Sequence, residues 1–250
     1  MSPLIIANWK MNPRDSKEAL DLAVSITKGL EGVEAQVVLC PPFVYIPELQ
    51  AKNNIFLGAQ DCFWEDQGAF TGEVSPLMLR NAGCTYVIVG HSERSQFLKE
   101  TPEMVKQKIH SAMSVGLAVV VCVSQESLEE RQTELEVKLL SLLKGIKPSD
   151  LSKLVLAYEP LWAISTNKGS KAESPDDLEA AVAHIRGTLD SLFGEAALQI
   201  SILYGGSVTA DNVTTFLGLE KAQGVLVGAA SLDAQEFVAL VKNAAAGYKE

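Results

Sequence analysis

One carboxylate lies between a buried strand and an apolar loop, which is an unusual setting for a charged side chain. Residues 154–157 form an apolar run typical of a buried strand, and Glu159 follows it. Pro160 cannot donate to a sheet ladder, and it favours extended geometry at Glu159. Residues 161–164 are apolar but belong to no periodic pattern. Two interpretations stay open: a general base beside a lid, or a strand-capping glutamate followed by a loop packed on the core.

Polar residues follow two other apolar runs in the same way. Asn8 and Lys10 follow the first run of the chain, and His91 and Glu93 follow the fourth. Histidine can polarise a carbonyl and lysine can stabilise a developing oxyanion, so both residue types suit chemistry at a carbonyl. Taken singly, a histidine that hydrogen-bonds a turn and an ordinary surface lysine are equally good interpretations.

Two turns of small residues follow the last two apolar runs. They are Gly205-Gly206-Ser207 and Gly228-Ala229. Small residues let backbone N–H groups approach an anion closely, and the N-termini of nearby helices favour negative charge. A Gly-Gly pair can also form a tight turn without any ligand, but two such turns in succession favour phosphate binding.

A base, two electrophilic groups and a phosphate-binding site together suggest one class of reaction. With Glu159 as the base and His91 and Lys10 as the electrophiles, the set suits removal of a proton next to a carbonyl. The two small-residue turns indicate that the substrate also carries a phosphate. The residues therefore predict isomerisation of a small phosphorylated aldose or ketose.

Eight strand–helix units must bring these residues together. The predicted strands are the apolar runs 4–7, 37–40, 55–59, 86–89, 117–123, 154–157, 200–203 and 225–227. Continuous apolar runs indicate strands buried on both faces, and alternation with helices indicates parallel pairing. Eight units in 250 residues predict an α/β fold, a closed (β/α)8 barrel, with an open doubly wound sheet as the alternative. Since no linker or low-complexity tract interrupts the chain, residues 1–250 are predicted to form one domain.

Helix starts are marked by local capping signals. Pro directly after Ser or Thr predicts starts at Ser75, Thr101 and Ser174. Asp15, with Glu18 three residues later, predicts a capping box. Four further helices are predicted around residues 46–51, around residues 212–217, along the stripe Leu128, Leu135, Leu139 and Leu142, and along the stripe Phe237, Leu240, Val241 and Ala244. In a barrel, the polar residues named above all lie at the C-terminal ends of strands, where loops can combine them.

Composition excludes several classes of function. A net charge of −10 argues against binding to nucleic acid or to an anionic membrane surface. No N-terminal stretch resembles a signal peptide, and no apolar run is long enough to span a bilayer. The cysteines lack CxxC spacing, so free and mostly buried thiols in a cytoplasmic protein are expected; they are Cys40, Cys62, Cys84 and Cys122. No histidine has ligand spacing from another histidine or a cysteine, so no metal site is expected.

The same segments resemble the triosephosphate isomerase family. The matching stretches, in family order, are Asn8-Trp9-Lys10-Met11-Asn12, Gly68-Ala69-Phe70-Thr71-Gly72-Glu73, Val89-Gly90-His91-Ser92-Glu93-Arg94, Tyr158-Glu159-Pro160 with Trp162-Ala163-Ile164, Tyr204-Gly205-Gly206-Ser207, and Leu226-Val227-Gly228. Each stretch alone is weak, but six in order are specific, and they extend from the first strand to the last.

The resemblance implies a homodimeric (β/α)8 barrel that interconverts dihydroxyacetone phosphate and glyceraldehyde 3-phosphate, a step of glycolysis and gluconeogenesis, without cofactor or metal. It implies that Glu159 moves the proton between the two carbons. His91 would be a neutral imidazole that polarises the carbonyl, and Lys10 would stabilise the enediolate with Asn8 beside it. Glu93 would support the catalytic residues without contacting the substrate itself.

The resemblance also assigns the phosphate-binding residues and the lid. Ser165, Ser207 and the backbone N–H groups of Gly228 and Ala229 would hold the phosphate. The lid, which would exclude water from the intermediate, would consist of Pro160, Leu161, Trp162, Ala163, Ile164, Ser165, Thr166, Asn167 and Lys168.

A long loop, residues 61–73, resembles the interface loop of the family. Phe70 and Thr71 at its tip would be oddly exposed in a monomer. The resemblance implies that Phe70, Thr71, Glu73 and Arg94 lie at the interface of a homodimer, and that the loop reaches the Asn8 and Lys10 region of the partner.

Several positions depart from the family pattern without removing a proposed catalytic side chain. Ala7, Ser95, Ser124-Gln125, Ser165 and Asn167 replace residues that are more usual in the family. Ala229 stands where the family has glycine, and alanine tolerates positive φ poorly. A weaker phosphate turn is expected if that residue needs such a conformation, and the lid changes are expected to alter its opening rate more than the chemistry.

Two other functions remain as alternatives at this point. A different sugar-phosphate isomerase on the same barrel would act on a larger substrate. A non-catalytic barrel would bind a phosphorylated ligand or a protein partner without turnover, although the intact set of Lys10, His91 and Glu159 argues against it.

Overall fold

Eight parallel strands close into a barrel. The computed structural model describes residues 2–52, 54–126, 132–164, 174–218 and 221–248. The strands are β1 (Leu4–Asn8), β2 (Gln36–Cys40), β3 (Ile55–Ala59), β4 (Cys84–Val89), β5 (Ala118–Gln125), β6 (Leu154–Pro160), β7 (Ser201–Tyr204) and β8 (Gly224–Val227). Each strand pairs with the next, and β8 pairs back with β1 through Leu4 opposite Gly224. The predicted (β/α)8 barrel is confirmed, and the open doubly wound sheet is wrong.

Strand residues alternate between two hydrophobic layers. One set, including Ile6, Val38 and Ile88, fills the barrel interior. The other set, including Ile5 and Val37, packs outward against the helices. Because both faces of every strand are covered, the strands are continuous apolar runs in the sequence.

The described residues contain eight α-helices, and their starts follow the predicted capping chemistry. The helices are α1 (Ser16–Gly29), α2 (Pro76–Asn81), α3 (Ser92–Leu98), α4 (Pro102–Ser114), α5 (Gln132–Leu143), α6 (Pro175–Phe193), α7 (Val213–Phe216) and α8 (Ala234–Gly247). The side chains of Ser75, Thr101 and Ser174 each accept the N–H of the third residue onward. Asp15 accepts the Glu18 N–H at 2.9 Å, but the Glu18 carboxylate accepts the Arg14 N–H, so only half of the capping box forms.

Two helix predictions need correction. The helix expected around residues 46–51 is a 3₁₀ helix at Phe43–Glu48, because Pro47 has no N–H to continue an α-helical ladder. Helix α3 was not predicted, since it is only 7 residues long and begins immediately after the residues that carry the site. Leu128, placed on the apolar stripe of α5, lies outside the described residues.

The four cysteines are free and buried, as expected. Burial raises the pKa of the Cys84 thiol to about 12. Among the described residues, no helix is both long and apolar enough to cross a membrane.

Helix α3 ends in a strained residue that gives a test of the local backbone. Lys99 has φ 60°, a left-handed conformation that glycine adopts without steric cost. We expect Lys99→Gly to raise the free energy of unfolding by about 1 kcal/mol, because the left-handed form costs other residues roughly that amount. Urea unfolding measures the change, and Lys52→Gly, at an exposed position without positive φ, is the control. Equal effects of the two changes would contradict the prediction.

Candidate active site

The predicted chemical residues meet in a small cavity at the C-terminal ends of the strands. Its volume is about 30 Å³, and its lining consists of Asn8, Lys10, His91, Glu159, Ile164, Gly205, Gly206, Leu226 and Gly228. Larger cavities exist, but the one of about 390 Å³ at the opposite end of the barrel is lined by Leu4, Gln36, Tyr86 and other uncharged residues. The small cavity brings together a carboxylate, an imidazole and an ammonium group.

The hydrogen bonds of His91 fix its tautomer. Its side chain lies directly before α3, where Nδ1 accepts the Glu93 N–H at 3.2 Å. A nitrogen that accepts an N–H bond carries no proton, so the ring is neutral with its proton on Nε2. Nε2 lies 3.0 Å from Glu159 Oε1 and donates to it. His91 therefore presents a donor to the cavity.

Glu159 is buried and held through both carboxylate oxygens. Oε1 faces His91, and Oε2 accepts the Ser92 N–H at 3.0 Å. The exposed fraction of the residue is 1%. The thiol of Cys122 also contacts this carboxylate, and burial together with the Glu159 charge raises the pKa of that thiol well above its usual range. Glu159 is therefore a buried carboxylate that lines the cavity and has a partner for each of its two oxygens.

Lys10 is held in a strained backbone conformation. Its φ is 52°, which is rare for a residue with a side chain. Its N–H donates to Asn8 Oδ1 at 3.0 Å, and Gln60 Nε2 donates to its carbonyl oxygen at 2.8 Å. Its Nζ lies 2.5 Å from Glu93 Oε1. These contacts direct the ammonium group toward the cavity and hold the Lys10 backbone in its left-handed conformation.

Comparison with known proteins gives the family. A family model described as Triosephosphate isomerase matches residues 3–244. Curated proteins named triosephosphate isomerase match at similar length. The one from Caldanaerobacter subterraneus subsp. tengcongensis is 43% identical over 248 residues, covering 96% of this chain and 98% of that protein. The one from Moorella thermoacetica is 44% identical over 247 residues, covering 96% and 97% respectively.

The chain belongs to the triosephosphate isomerase family. The resemblance drawn from six sequence stretches is thereby confirmed.

The phosphate turns expected of a triosephosphate isomerase family member flank the cavity. Gly206 must be glycine, because a Cβ there would lie 2.1 Å from the hydroxyl oxygen of Tyr204. The Ser207 N–H donates to the Ala163 carbonyl at 2.9 Å, and this hydrogen bond connects the turn after β7 to the first residues of the predicted lid. Ala229 begins a 3₁₀ helix, Ala229–Leu232, and is not among the residues with positive φ. Alanine therefore causes no backbone strain in this turn, since no left-handed conformation is required at position 229.

Part of the family lid lies in the described residues. Pro160 ends β6, Leu161–Ala163 forms a 3₁₀ helix, and Ala163 and Ile164 are buried. The Tyr158 hydroxyl donates to Gln125 Oε1 at 2.8 Å, so the unusual Gln125 anchors the strand that leads into the lid. The predicted phosphate ligand Ser165, and Thr166, Asn167 and Lys168 of the predicted lid, lie outside the described residues.

The loop at residues 61–73, which was predicted to lie at a dimer interface, carries its own aromatic cluster. The ring centroid of Phe63 lies 4.0 Å from that of Trp64 and 4.6 Å from that of Phe70. Even so, Phe70 remains 43% exposed, and Thr71 and Glu73 are exposed. Arg94, also predicted at the interface, is half-buried and pairs within its own chain.

Four charged side chains form a cluster at the base of this loop. Arg94 Nη2 lies 2.7 Å from Asp61 Oδ2, and Arg94 Nε lies 3.1 Å from Glu100 Oε1. Lys108 Nζ donates to both Asp61 oxygens, at 2.8 and 2.9 Å, and to Glu100. Burial raises the pKa of the Asp61 carboxyl from 3.8 to about 6, against the lowering effect of Lys108 and Arg94.

This pKa predicts a pH-dependent stability. Between pH 4 and 6 the unfolded chain has released the Asp61 proton while the folded chain keeps it, so the contribution of Asp61 to stability falls as pH rises. Asp61→Asn should remove this dependence. The unfolding free energy of the variant minus that of the wild type should increase by about 2 kcal/mol from pH 4 to pH 7. Urea unfolding at both pH values measures it, and a constant difference would contradict the prediction.

The sequence did not reveal four residues that contact the site. Gln60 holds Lys10, Ser92 and Cys122 contact Glu159, and Leu226 lines the cavity. Gln60 directly follows β3, so the rule that strand ends carry function would have found it. Ser92 and Leu226 lie within stretches that resemble the family but were assigned no role there, and Cys122 has no local signal. In the described part of the chain, no group of three or more His, Cys, Asp or Glu side chains could hold a metal ion.

Proposed function

We propose that this chain interconverts dihydroxyacetone phosphate and glyceraldehyde 3-phosphate through an enediolate, with Glu159, His91 and Lys10 as its catalytic residues. The observation that carries the proposal is the 3.0 Å contact between the Glu159 carboxylate and a neutral His91, in a cavity that Lys10 also lines. Family membership supports the same reaction.

The reaction needs one base that works on two adjacent carbons. The Glu159 carboxylate removes a proton from the carbon next to the carbonyl; the electron pair of that C–H bond forms a carbon–carbon double bond, and the π pair of the carbonyl moves to its oxygen. The protonated Glu159 then returns the proton to the neighbouring carbon, while the hydroxyl oxygen of the substrate loses its proton and the former carbonyl oxygen gains one through His91 Nε2. The carbon-bound proton is thus carried by Glu159 and the oxygen-bound proton by His91.

His91 and Lys10 stabilise the negative oxygen that forms in between. The Nε2 proton of His91 is positioned to bond that oxygen and to move between the two substrate oxygens. The Lys10 ammonium adds a positive charge at close range to the oxygen on which negative charge develops. Asn8 and Glu93 contact Lys10 and hold it in place.

Glu159 must move before it can act on a substrate carbon. Both of its oxygens are engaged in the unliganded chain, one with His91 and one with the Ser92 N–H. Substrate binding therefore has to replace these bonds. The direct attachment of Glu159 to Pro160 and the lid couples this movement to lid closure.

The small-residue turns define one part of the substrate. We propose that Ser207 and the N–H groups of Gly228 and Ala229 bind the phosphate, together with Ser165. Gly228 lines the cavity beside Lys10, and Ala229 is the next residue of the same turn.

Turnover by the purified chain tests the proposal. The conversion of glyceraldehyde 3-phosphate is followed by coupling the product to a dehydrogenase, and a pentose phosphate is assayed in parallel. Fast turnover of the triose alone is expected. Turnover confined to the larger sugar would favour the other isomerase, and binding of 2-phosphoglycolate without turnover would favour a non-catalytic barrel.

We also propose that the chain acts as a homodimer. Large apolar side chains are exposed in the segments that follow four adjacent strands: Met11 after β1, Val44 in the 3₁₀ helix after β2, Phe70 after β3, and Phe97 with Leu98 in α3 after β4. Met11, next to Lys10 in the chain, is 93% exposed. Exposed large apolar side chains on neighbouring segments are typical of an interface.

Equilibrium sedimentation at micromolar concentration should show a dimer. Phe70→Asp would place a charge in the proposed interface and is expected to yield monomers, whereas Leu198→Asp, at an exposed leucine elsewhere, leaves the dimer intact. Full activity in a monomeric wild-type chain would contradict the proposal.

The remaining expectations are proposals of the same kind. We propose that residues 1–250 act as one domain in the cytoplasm, with a triose phosphate and a second copy of the chain as partners. The net charge of −10 is consistent with the absence of nucleic acid and membrane surfaces from this set.

A further inference from the structure

A closed series of contacts joins the two sides of the proposed active site. Gln60 Nε2 donates to the Lys10 carbonyl at 2.8 Å, and Asp61 is the next residue. Asp61 Oδ2 lies 2.7 Å from Arg94 Nη2, and Glu93 is the residue before Arg94. Glu93 Oε1 lies 2.5 Å from Lys10 Nζ, which closes the series.

Asp61 is the member that links two separate elements. It directly follows Gln60 at the end of β3, whereas Arg94 belongs to α3. Helix α3 begins immediately after His91 and carries Glu93 in its first turn. A movement of α3 relative to β3 would therefore shift His91 and Glu93 relative to Lys10.

The folded state gains little stability from an ionised carboxylate at position 61, so stability alone does not account for an aspartate there. Asp61 is buried, and burial outweighs the effect of the facing cations Lys108 and Arg94 on its pKa, while Glu100 adds a like charge. Desolvation of buried charges commonly exceeds the gain from pairing them. Arg94 and Lys108 both keep Glu100 as an ionised partner when Asp61 is made neutral, so a neutral residue of the same shape should leave the fold intact.

We infer that Asp61 is a positioning residue, whose bond to Arg94 fixes helix α3, and with it His91 and Glu93, against the strand end that holds Lys10. The inference rests on the proposed function. Asp61 does not line the cavity, so it acts only through the residues it holds.

A loss of this tether should affect kcat rather than KM. The series contains the groups that face the reacting carbons and oxygens, and small errors in their placement reduce the rate steeply. The proposed phosphate turns follow β7 and β8 and are not members of the series. Ground-state binding through the phosphate should therefore be retained.

Three variants of Asp61 test the tether. Asp61→Ala removes the acceptor, and we expect kcat to fall about tenfold with KM within about twofold. Asp61→Leu, which is branched and larger, also lacks an acceptor but leaves no cavity, and it should behave in the same way if the alanine variant folds poorly. Asp61→Asn lacks the charge but keeps one acceptor oxygen for Arg94, so it should retain most of the wild-type kcat.

Lys108→Met provides the matched control. Lys108 binds the same carboxylate from α4, which carries no proposed catalytic residue. The change should lower stability because it breaks a buried ion pair, but kcat should stay within about twofold of the wild type.

The outcomes separate the inference from the proposed function. An active wild type with unchanged kcat in Asp61→Ala and Asp61→Leu would overturn the inference alone. A loss in Asp61→Asn as large as in Asp61→Ala would also overturn it, because the charge and not the tether would then matter. A wild type without triose phosphate turnover would overturn the proposed function, and this inference with it.

Discussion

Glu159→Gln should reduce kcat about 10⁴-fold, the upper part of the range for loss of a positioned base. The amide has nearly the same shape as the carboxylate but cannot accept a proton at neutral pH. Its carbonyl oxygen can still accept one of the two bonds that Glu159 receives from His91 and the Ser92 N–H. The chain should therefore fold with little change in its unfolding midpoint. Coupled turnover assays and urea unfolding measure the two effects.

Glu134→Gln, on the exposed surface of α5, is the matched control for this change. It makes the same chemical replacement without touching the cavity, so activity should stay at the wild-type level. Glu159→Asp should fall between the two, since its carboxylate is withdrawn by one methylene group. Near-normal turnover in Glu159→Gln would mean that another group removes the proton.

Lys10→Gly should abolish most activity and yet give a more stable chain than Lys10→Ala. Both changes remove the ammonium group, and we expect kcat/KM to fall about 10³-fold in each, as for loss of a strong oxyanion-stabilising group. The two differ in the backbone, because φ at this position is 52°. Glycine adopts this conformation freely, so Lys10→Gly should exceed Lys10→Ala in unfolding free energy by about 1 kcal/mol.

The comparison isolates backbone strain because both variants leave the Glu93 carboxylate without its 2.5 Å partner. Thermal or urea unfolding of the pair measures the difference. Equal stability would mean that the contacts of Gln60 and Asn8 with the Lys10 backbone already remove the strain. Retained turnover in either variant would show that Lys10 is not the group that stabilises the enediolate.

Much of the fold was predictable because its signals are local. The eight apolar runs correspond to β1–β8, since a strand covered on both faces must be apolar at every position. Ser75, Thr101 and Ser174 cap helices as expected, because a cap depends on residues three positions apart. The helix expected at 46–51 failed for an equally local reason, the proline at position 47.

The proposed site was predictable as a set of residues but not as an arrangement. Barrel closure brings all strand ends to one rim, which is why Asn8, Lys10, His91 and Glu159 could be named without coordinates. The neutral tautomer of His91 follows from the Glu93 N–H, and the negative φ of Ala229 follows from a short 3₁₀ helix. Neither can be read from residue type.

The sequence by itself determined the barrel, the family and the identity of the proposed catalytic residues, because strand burial and turn chemistry are properties of neighbouring positions. Only the tertiary structure decided that Gln60 holds Lys10, that the buried Asp61 joins β3 to α3, and that Cys122 lies against Glu159. These contacts join residues far apart in the chain. They depend on the register of the closed sheet and on the packing of helices against it, which local patterns do not specify.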